Sequence, residues 1–384
     1  MRNVLIVGAG PVGLTVALSL HRLGVPVTVL EKRPDLSGAS RASTFHPPTI
    51  EILDGLGVLE PLLPLGQRVD RIAYLTRDGE AAASFALADL AGETAFPFRW
   101  HIEQSVVTPA LMAALPAGAV QFAAEVADIL EEPDSVAAIL TDGRRFEGTY
   151  VLGCDGARSM VRQAIGVVTD GEAYTHRVLR VMTPVPLSEI NPALGGISYI
   201  HAADGSCSLL QMPGLWRLIF RVPTSETDAA ALAPDAIAAR VRHFLPWAPD
   251  PLPISGTDIY RVAQGVARSY RVGRAVLLGD AAHVTNTRGG MNMNAGLHEA
   301  STLAGVLAAI LSGRLADAAL TEWAEARSAL AREHLVARTD RAVSQTGLAL
   351  LARMADLAAD PARSRRFLLE GAMLDIARIG AVAA

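Results

Sequence analysis

The stretch from Arg2 to Glu31 constrains the fold more than any other part of this 384-residue chain. Arg2 to Val7 is rich in Val, Leu and Ile and predicts a short buried strand. It runs into Gly8-Ala9-Gly10-Pro11-Val12-Gly13 and then an amphipathic segment, predicted helical to about Leu23. A strand, a G-x-G-x-x-G turn and a helix in succession suit a bound dinucleotide. One glycine permits the tight turn, one lets a pyrophosphate approach the backbone, and one lets the helix pack closely. Pro26 to Leu30 supplies a second strand, and Glu31, eighteen residues after Gly13, ends it where a carboxylate can accept from ribose hydroxyls. Because Glu31 repels a 2′-phosphate, the nucleotide seated here is expected to be the ADP half of FAD, or NAD, and not NADP. Lys32 and Arg33 follow and join Gly8, Gly10, Pro11, Val12, Gly13 and Glu31 as candidate cofactor residues.

Two later stretches offer the same cofactor further contacts. Ala275 to Leu278 reads as a buried strand that breaks at Gly279-Asp280 into a glycine-bearing loop. After Asn294 the spacing of Leu297, Leu303, Val306, Leu307 and Ile310 predicts a helix starting near Ala295. A Gly-Asp turn supplies an acceptor for sugar hydroxyls, and a helix N-terminus supplies N–H groups for an anionic ring edge. Between these ends, Tyr150 to Gly153 reads as a strand entering Cys154-Asp155-Gly156-Ala157-Arg158-Ser159, with a helix opening after it. Asp155 can serve a ligand or stabilise that helix N-terminus.

Gly8–Gly13, Asp155-Gly156 with Arg158, and Gly279-Asp280-Ala281-Ala282-His283 with Gly289-Gly290 and Asn294-Ala295-Gly296 resemble, in order, the three motifs of the FAD-dependent aromatic-ring monooxygenases. These are the para-hydroxybenzoate hydroxylase-like, single-component flavoprotein hydroxylases. The resemblance implies that Asp280 binds the flavin ribityl chain and that Gly290, Met293 and Asn294 face the pyrimidine edge of its ring. It implies that Gln104 reaches the flavin phosphate and ribityl region, that Arg41 lies beside the flavin and the incoming nicotinamide nucleotide, and that Asp155, Gly156 and Arg158 serve both. FAD is then non-covalent and NADH or NADPH the electron donor. The reaction implied runs through a C4a-hydroperoxyflavin that hydroxylates a small phenolic or heteroaromatic substrate with O2. The bound flavin carries that chemistry, beside a loop of Asn292, Met293 and Asn294. The chain departs from the family at Asn286-Thr287, where Pro-Pro is usual, and at Asn292, where Gly is usual. Asn tolerates a left-handed backbone, so Asn292 is expected to hold the turn with its side chain toward the reacting face. That substitution favours an alternative, a flavin dehydrogenase or reductase of the same fold without oxygen insertion. A non-catalytic FAD-binding sensor is a further alternative. His46, before Pro47-Pro48, is read as a turn residue and not as a site of covalent flavin attachment.

The fold expected is α/β: a discontinuous Rossmann-like FAD-binding domain (1–70, 100–173 and 265–315), an inserted β-rich substrate domain (71–99 and 174–264), and a C-terminal helical region (316–384). Arg71–Thr76 and Ala81–Ala86 flank Arg77-Asp78-Gly79 as a hairpin. Helix is expected over Val106–Leu115 and strand over Val120–Glu125, Val136–Leu140 and Arg145–Gly148. In the β-rich stretch Tyr199, His201, Gln211, Arg217 and Arg221 are candidate substrate contacts, of which strand alternation should turn about half away. The Ala- and Leu-rich tail is expected to cover the flavin domain.

A formal charge of −5 gives no basic footprint for nucleic acid. Cys154 and Cys207 are too few for a disulfide framework and lack metal-ligand spacing, which suits a reducing cytoplasm and no metal. The apolar Val4–Leu20 segment is broken by glycines at motif spacing and is not read as a signal peptide, and no run reaches the ~20 residues of a membrane span. Trp247 lacks the Trp-x-Trp-x-Ile context of flavin halogenases. The reading is compatible with a homodimer.

Overall fold

The computed structural model describes residues 3–38, 42–171, 173–344 and 347–381. Arg41 lies outside them. The N-terminal strand Val4–Val7 is wholly apolar and buried on both faces, as a central parallel strand must be. It pairs in parallel with Val27–Leu30 on one side and Tyr150–Gly153 on the other. Val120–Gln121 and Ala275–Leu277 extend the sheet outward, and Arg271–Val272 closes one edge antiparallel. The helices Pro11–Arg22 and Met291–Leu311 pack on it, their apolar sides merging into one core with Leu14, Leu18, Leu297 and Leu303.

A second, seven-stranded sheet draws its strands from two distant segments. Gly256–Ala263, Ala173–Thr183, Leu215–Val222, Gly205–Met212 and Ile197–Ala202 are antiparallel neighbours, and Ile197–His201 then pairs in parallel with Ile72–Thr76 of the hairpin. One face, with Leu179, Leu209, Leu218 and Phe220, is covered by the helix Pro234–Phe244. The other face looks toward the parallel-sheet body.

Several elements differ from their sequence-based limits. The strand expected over Val120–Glu125 ends at Gln121. There the chain is drawn off, because Ala123 and Ala124 donate to the Arg33 and Glu31 carbonyls, and pairing resumes over Val126–Glu131. The helix expected from Val106 begins at Gln104 and ends at Ala113. The helix expected from Ala295 begins one turn earlier, at Met291, behind Gly290 in a left-handed conformation with φ 65°. The tail is split. Ala318–Leu330 packs on Met291–Leu311, but Leu348–Ala358 and Pro361–Gly371 cover the second sheet instead of the flavin domain. There Leu350, Met354 and Leu368 bury Ile72, Phe85 and Ile197, which would otherwise meet water.

Candidate active site

The glycine turn is shaped from both sides. Gly8 has φ 105°, and a Cβ on it would meet the Cys154 carbonyl oxygen at 2.6 Å. A Cβ on Gly13 would lie 2.0 Å from the Gly8 carbonyl oxygen, so only glycine lets the helix start so close to the strand. A Cβ on Gly10 would meet nothing within 4 Å. No side chain caps the helix that begins at Pro11, so its first-turn N–H groups, including those of Val12 and Gly13, face that open space. The Glu31 carboxylate accepts from the Ala9 N–H (2.8 Å) and the Arg33 N–H (3.0 Å), tying the second strand to the glycine turn. Lys32 and Arg33 are exposed beside it. These features fit the ribose and pyrophosphate of a dinucleotide.

Asp155 is engaged with its own helix: one oxygen accepts from Ser159 Oγ (2.6 Å), the other from the Met160 (2.6 Å) and Val161 (3.1 Å) N–H groups. Gly156 has φ 85° with open space at its Cβ position, and Arg158 is exposed. Gln104 starts its helix, its N–H donating to the Ala42 carbonyl. At the other motif, a Cβ on Gly279 (φ 57°) would lie 2.9 Å from Val12 Cγ2, and one on Gly296 would lie 2.7 Å from the same atom. The first and last motifs are therefore interlocked through Val12.

Asp280 leads into a buried polar chain. Asn292 Nδ2 donates to Asp280, and Asn292 Oδ1 lies 3.1 Å from His283 Nδ1. His283 Nε2 lies 3.1 Å from Glu299 Oε1, and Glu299 Oε2 accepts from the Gly279 N–H at 2.8 Å. Burial opposes a charge on His283, but Glu299, with Asp280 and Asn292, outweighs it and raises the His283 pKa. Asn292 is thus helical, with its side chain turned back on Asp280. The left-handed residues are Gly289 (φ 87°) and Gly290 (φ 65°). Asn294, fully buried, accepts from the His46 N–H (2.9 Å) and donates to the Thr44 carbonyl (2.8 Å), which fixes the helix start against the early chain. The uncapped N-terminus of that helix opens on a cleft roofed by the second sheet.

Alternation decides which sheet residues reach the cleft. Tyr199, Arg217 and Arg221 line it together with Arg180, Arg99 and Arg288. Arg217 pairs with Glu103 and donates to Ser43 Oγ (2.8 Å), and Arg180 pairs with Asp258 (2.9 Å). Gln211 does not line the cleft: it falls out of phase with Ser206, Ser208 and Leu210, which do. His201 is also outside it, stacked on Tyr74 at 6.2 Å, and burial lowers its pKa to about 4, so it is neutral near pH 7.

With this geometry in hand, a family model described as an FAD binding domain matches residues 1–338. The chain belongs to this family of FAD-dependent flavoprotein monooxygenases. Among its relatives, para-nitrophenol 4-monooxygenase of Pseudomonas sp. (strain WBC-3) is 31% identical over 332 residues, 84% of this chain and 81% of the relative. The 6-hydroxy-3-succinoylpyridine 3-monooxygenase HspB of Pseudomonas putida is 29% identical over 328 residues, 82% of each chain. The crystal structure of p-nitrophenol 4-monooxygenase PnpA from Pseudomonas putida DLL-E4 superposes with a TM-score of 0.87 at 27% identity, covering 98% of this chain and 99% of that one.

Membership in this family agrees with the expectation of FAD as the cofactor. Glu299, Arg99 and Arg288 were not singled out from sequence, and His283 was named only as the end of the third motif. His283 and Glu299 carried a usable signal, since a charged pair sixteen residues apart across a strand-to-helix loop needs a partner if buried. Among the described residues there is no cluster suited to a metal, and no helix is long and apolar enough to cross a membrane.

Proposed function

We propose that this flavoprotein hydroxylates a small aromatic substrate with O2, using NADH or NADPH as electron donor by the cycle expected from the sequence. The balance is Ar–H + O2 + NAD(P)H + H⁺ → Ar–OH + H2O + NAD(P)⁺. The observation that carries it is the single cleft joining the uncapped N-terminus at Met291 to the arginine-bearing, partly apolar sheet face. FAD, when bound, supplies the electron transfer and oxygen activation. The chain's own residues bind and orient. Gly8–Gly13 and Glu31 hold the ADP half, and Asp280, kept in place by Asn292, receives the ribityl hydroxyls. Asp155, Gly156, Arg158, Gln104 and Arg41 complete the nucleotide contacts. The helix N-terminus favours negative charge at the ring edge by about 0.3–2 kcal/mol. Tyr199, Arg217 and Arg221 face the aromatic substrate, and the sheet above limits water.

The domain division, with 1–70, 100–173 and 265–315 holding flavin and 71–99 and 174–264 roofing the substrate, is part of this proposal, as is a cytoplasmic location. The dehydrogenase alternative drew on Asn292 crowding the reacting face. With that side chain turned onto Asp280 and His283, nothing specific favours it. Turnover under isotopically labelled oxygen, with a phenol found by stimulated NAD(P)H oxidation, tests the proposal. Labelled product is expected. Oxidised product without label, with all oxygen recovered as hydrogen peroxide, would overturn it.

A further inference from the structure

The buried chain Asp280–Asn292–His283–Glu299 fixes its own protons. An ionised carboxylate only accepts, so the arm of the Asn292 amide that meets Asp280 is the NH2. The opposite arm, Oδ1, is then the acceptor that faces His283 Nδ1 at 3.1 Å and the Thr285 hydroxyl at 3.5 Å, and Nδ1 carries a hydrogen. Across the ring, Nε2 lies 3.1 Å from Glu299 Oε1, at ion-pair distance though not in hydrogen-bond alignment, while Glu299 Oε2 accepts from the Gly279 N–H. A carboxylate at that distance repels a bare ring nitrogen, so Nε2 is protonated too. With hydrogen on both nitrogens His283 is an imidazolium, buried between the charges of Glu299 and Asp280 that offset it.

The groups packed around the ring leave this proton as the one that moves near neutrality. Tyr270 stacks on His283 at 6.4 Å, with Arg332 acting on it from outside, and burial and Glu299 push its hydroxyl well above the usual tyrosine range. Cys154 is pushed up by burial, Asp155 and Glu299, and stays a thiol. Arg327, from the helix Ala318–Leu330, also acts on Glu299; it is lowered by burial only to about 10 and is held by the Thr302 hydroxyl (2.9 Å) and the Ala377 carbonyl (3.1 Å). The strand paired with His283, Gly265–Ala267, brings no charged side chain.

We propose that His283 is a positioning residue for the cofactor: its imidazolium sets the Asn292 amide, the amide holds Asp280 as the acceptor for the ribityl hydroxyls, and FAD affinity follows the proton on His283. The inference rests on the assignment of Asp280 to the ribityl chain and adds the group that sets it. A neutral ring has one hydrogen for two acceptors. When Glu299 takes it, Asn292 Oδ1 faces a lone pair, and the amide turns its oxygen toward Asp280. Because the folded His283 pKa is raised above 6.5, tight binding is present below that value and is lost as pH rises through the folded pKa.

The test titrates FAD into the apoprotein by flavin fluorescence between about pH 6 and about pH 9, with urea midpoints measured alongside. The parent should weaken about tenfold across the His283 transition, the scale of one lost charge-assisted hydrogen bond. His283→Gln should bind about tenfold more weakly than the parent at the acid end and show no pH step. Glu299→Gln removes the carboxylate that raises the pKa and should move the step to lower pH, a displacement that a merely structural role would not produce. If His283→Gln does not fold, the displacement in Glu299→Gln decides alone. A parent with no step, a step that survives His283→Gln, or one that stays in place in Glu299→Gln overturns the role of His283 and leaves FAD binding standing. Protein that takes up no FAD at any pH overturns the Asp280 assignment as well.

Discussion

Gly10→Ala should separate folding from cofactor binding. Gly10 sits at φ −77°, ψ 178°, a conformation open to any residue, and an added Cβ meets nothing within 4 Å. Losing glycine at a helix cap costs about 0.5–1 kcal/mol, while restricting the unfolded chain returns about 0.4–1 kcal/mol. The two nearly cancel, so the apoprotein should keep its stability to within about 0.5 kcal/mol. The methyl group nevertheless projects into the space where the pyrophosphate must approach, and FAD affinity should fall at least about tenfold, or ~1.4 kcal/mol. Gly13→Ala is the contrast. Its Cβ would lie 2.0 Å from the Gly8 carbonyl oxygen, and backbone cannot step aside as a flexible side chain can. That overpacking should destabilise the apoprotein by about 1–3 kcal/mol, outweighing alanine's better helix propensity of about 1 kcal/mol. Urea unfolding of the apoproteins and FAD titration of each variant give the four numbers. A Gly10→Ala protein that binds FAD like the parent, or is destabilised as much as Gly13→Ala, would refute the cradle as drawn.

Glu31→Ala removes the acceptor for the Ala9 and Arg33 N–H groups and should weaken FAD binding by about 1–3 kcal/mol, measured by the same titration; unchanged affinity would count against the assignment. Asn292→Gly deletes the hydrogen bonds to Asp280 and His283 and should lower apoprotein stability by about 1 kcal/mol without raising product formed per NAD(P)H consumed; improved coupling would mean that the side chain crowds the reacting face after all. Glu299→Gln tests the buried pair through pH. Because the folded His283 pKa is raised, its contribution is fully present below the unfolded value of about 6.5 and fades as pH rises through the folded pKa. The parent's advantage in urea midpoint over Glu299→Gln should therefore be largest near pH 6 and shrink toward pH 9, and a gap that widens with pH would exclude the pairing.

The sequence alone determined what depends on neighbours along the chain. The Val4–Val7 strand, the Gly8–Gly13 turn and the helix behind it follow from hydrophobic period and glycine spacing, and so did the expectation of a dinucleotide. The hairpin at Arg77-Asp78-Gly79 was equally local. Only the tertiary structure decided what depends on distant partners. The Met291 helix starts early because Asn294 bonds to Thr44 and His46, about 250 positions away, and no local pattern records that. Asn292 turns inward because Asp280 and His283 wait there. Gln211 is lost from the cleft and Arg99 gained by it because strand phase and sheet pairing, set across the whole chain, choose which face each side chain shares. Helices whose apolar stripes are legible in sequence carry no address for the surface they cover: Leu350 and Met354 found the exposed face around Ile72 and Ile197, and in covering it enclosed a second cavity beside the cleft.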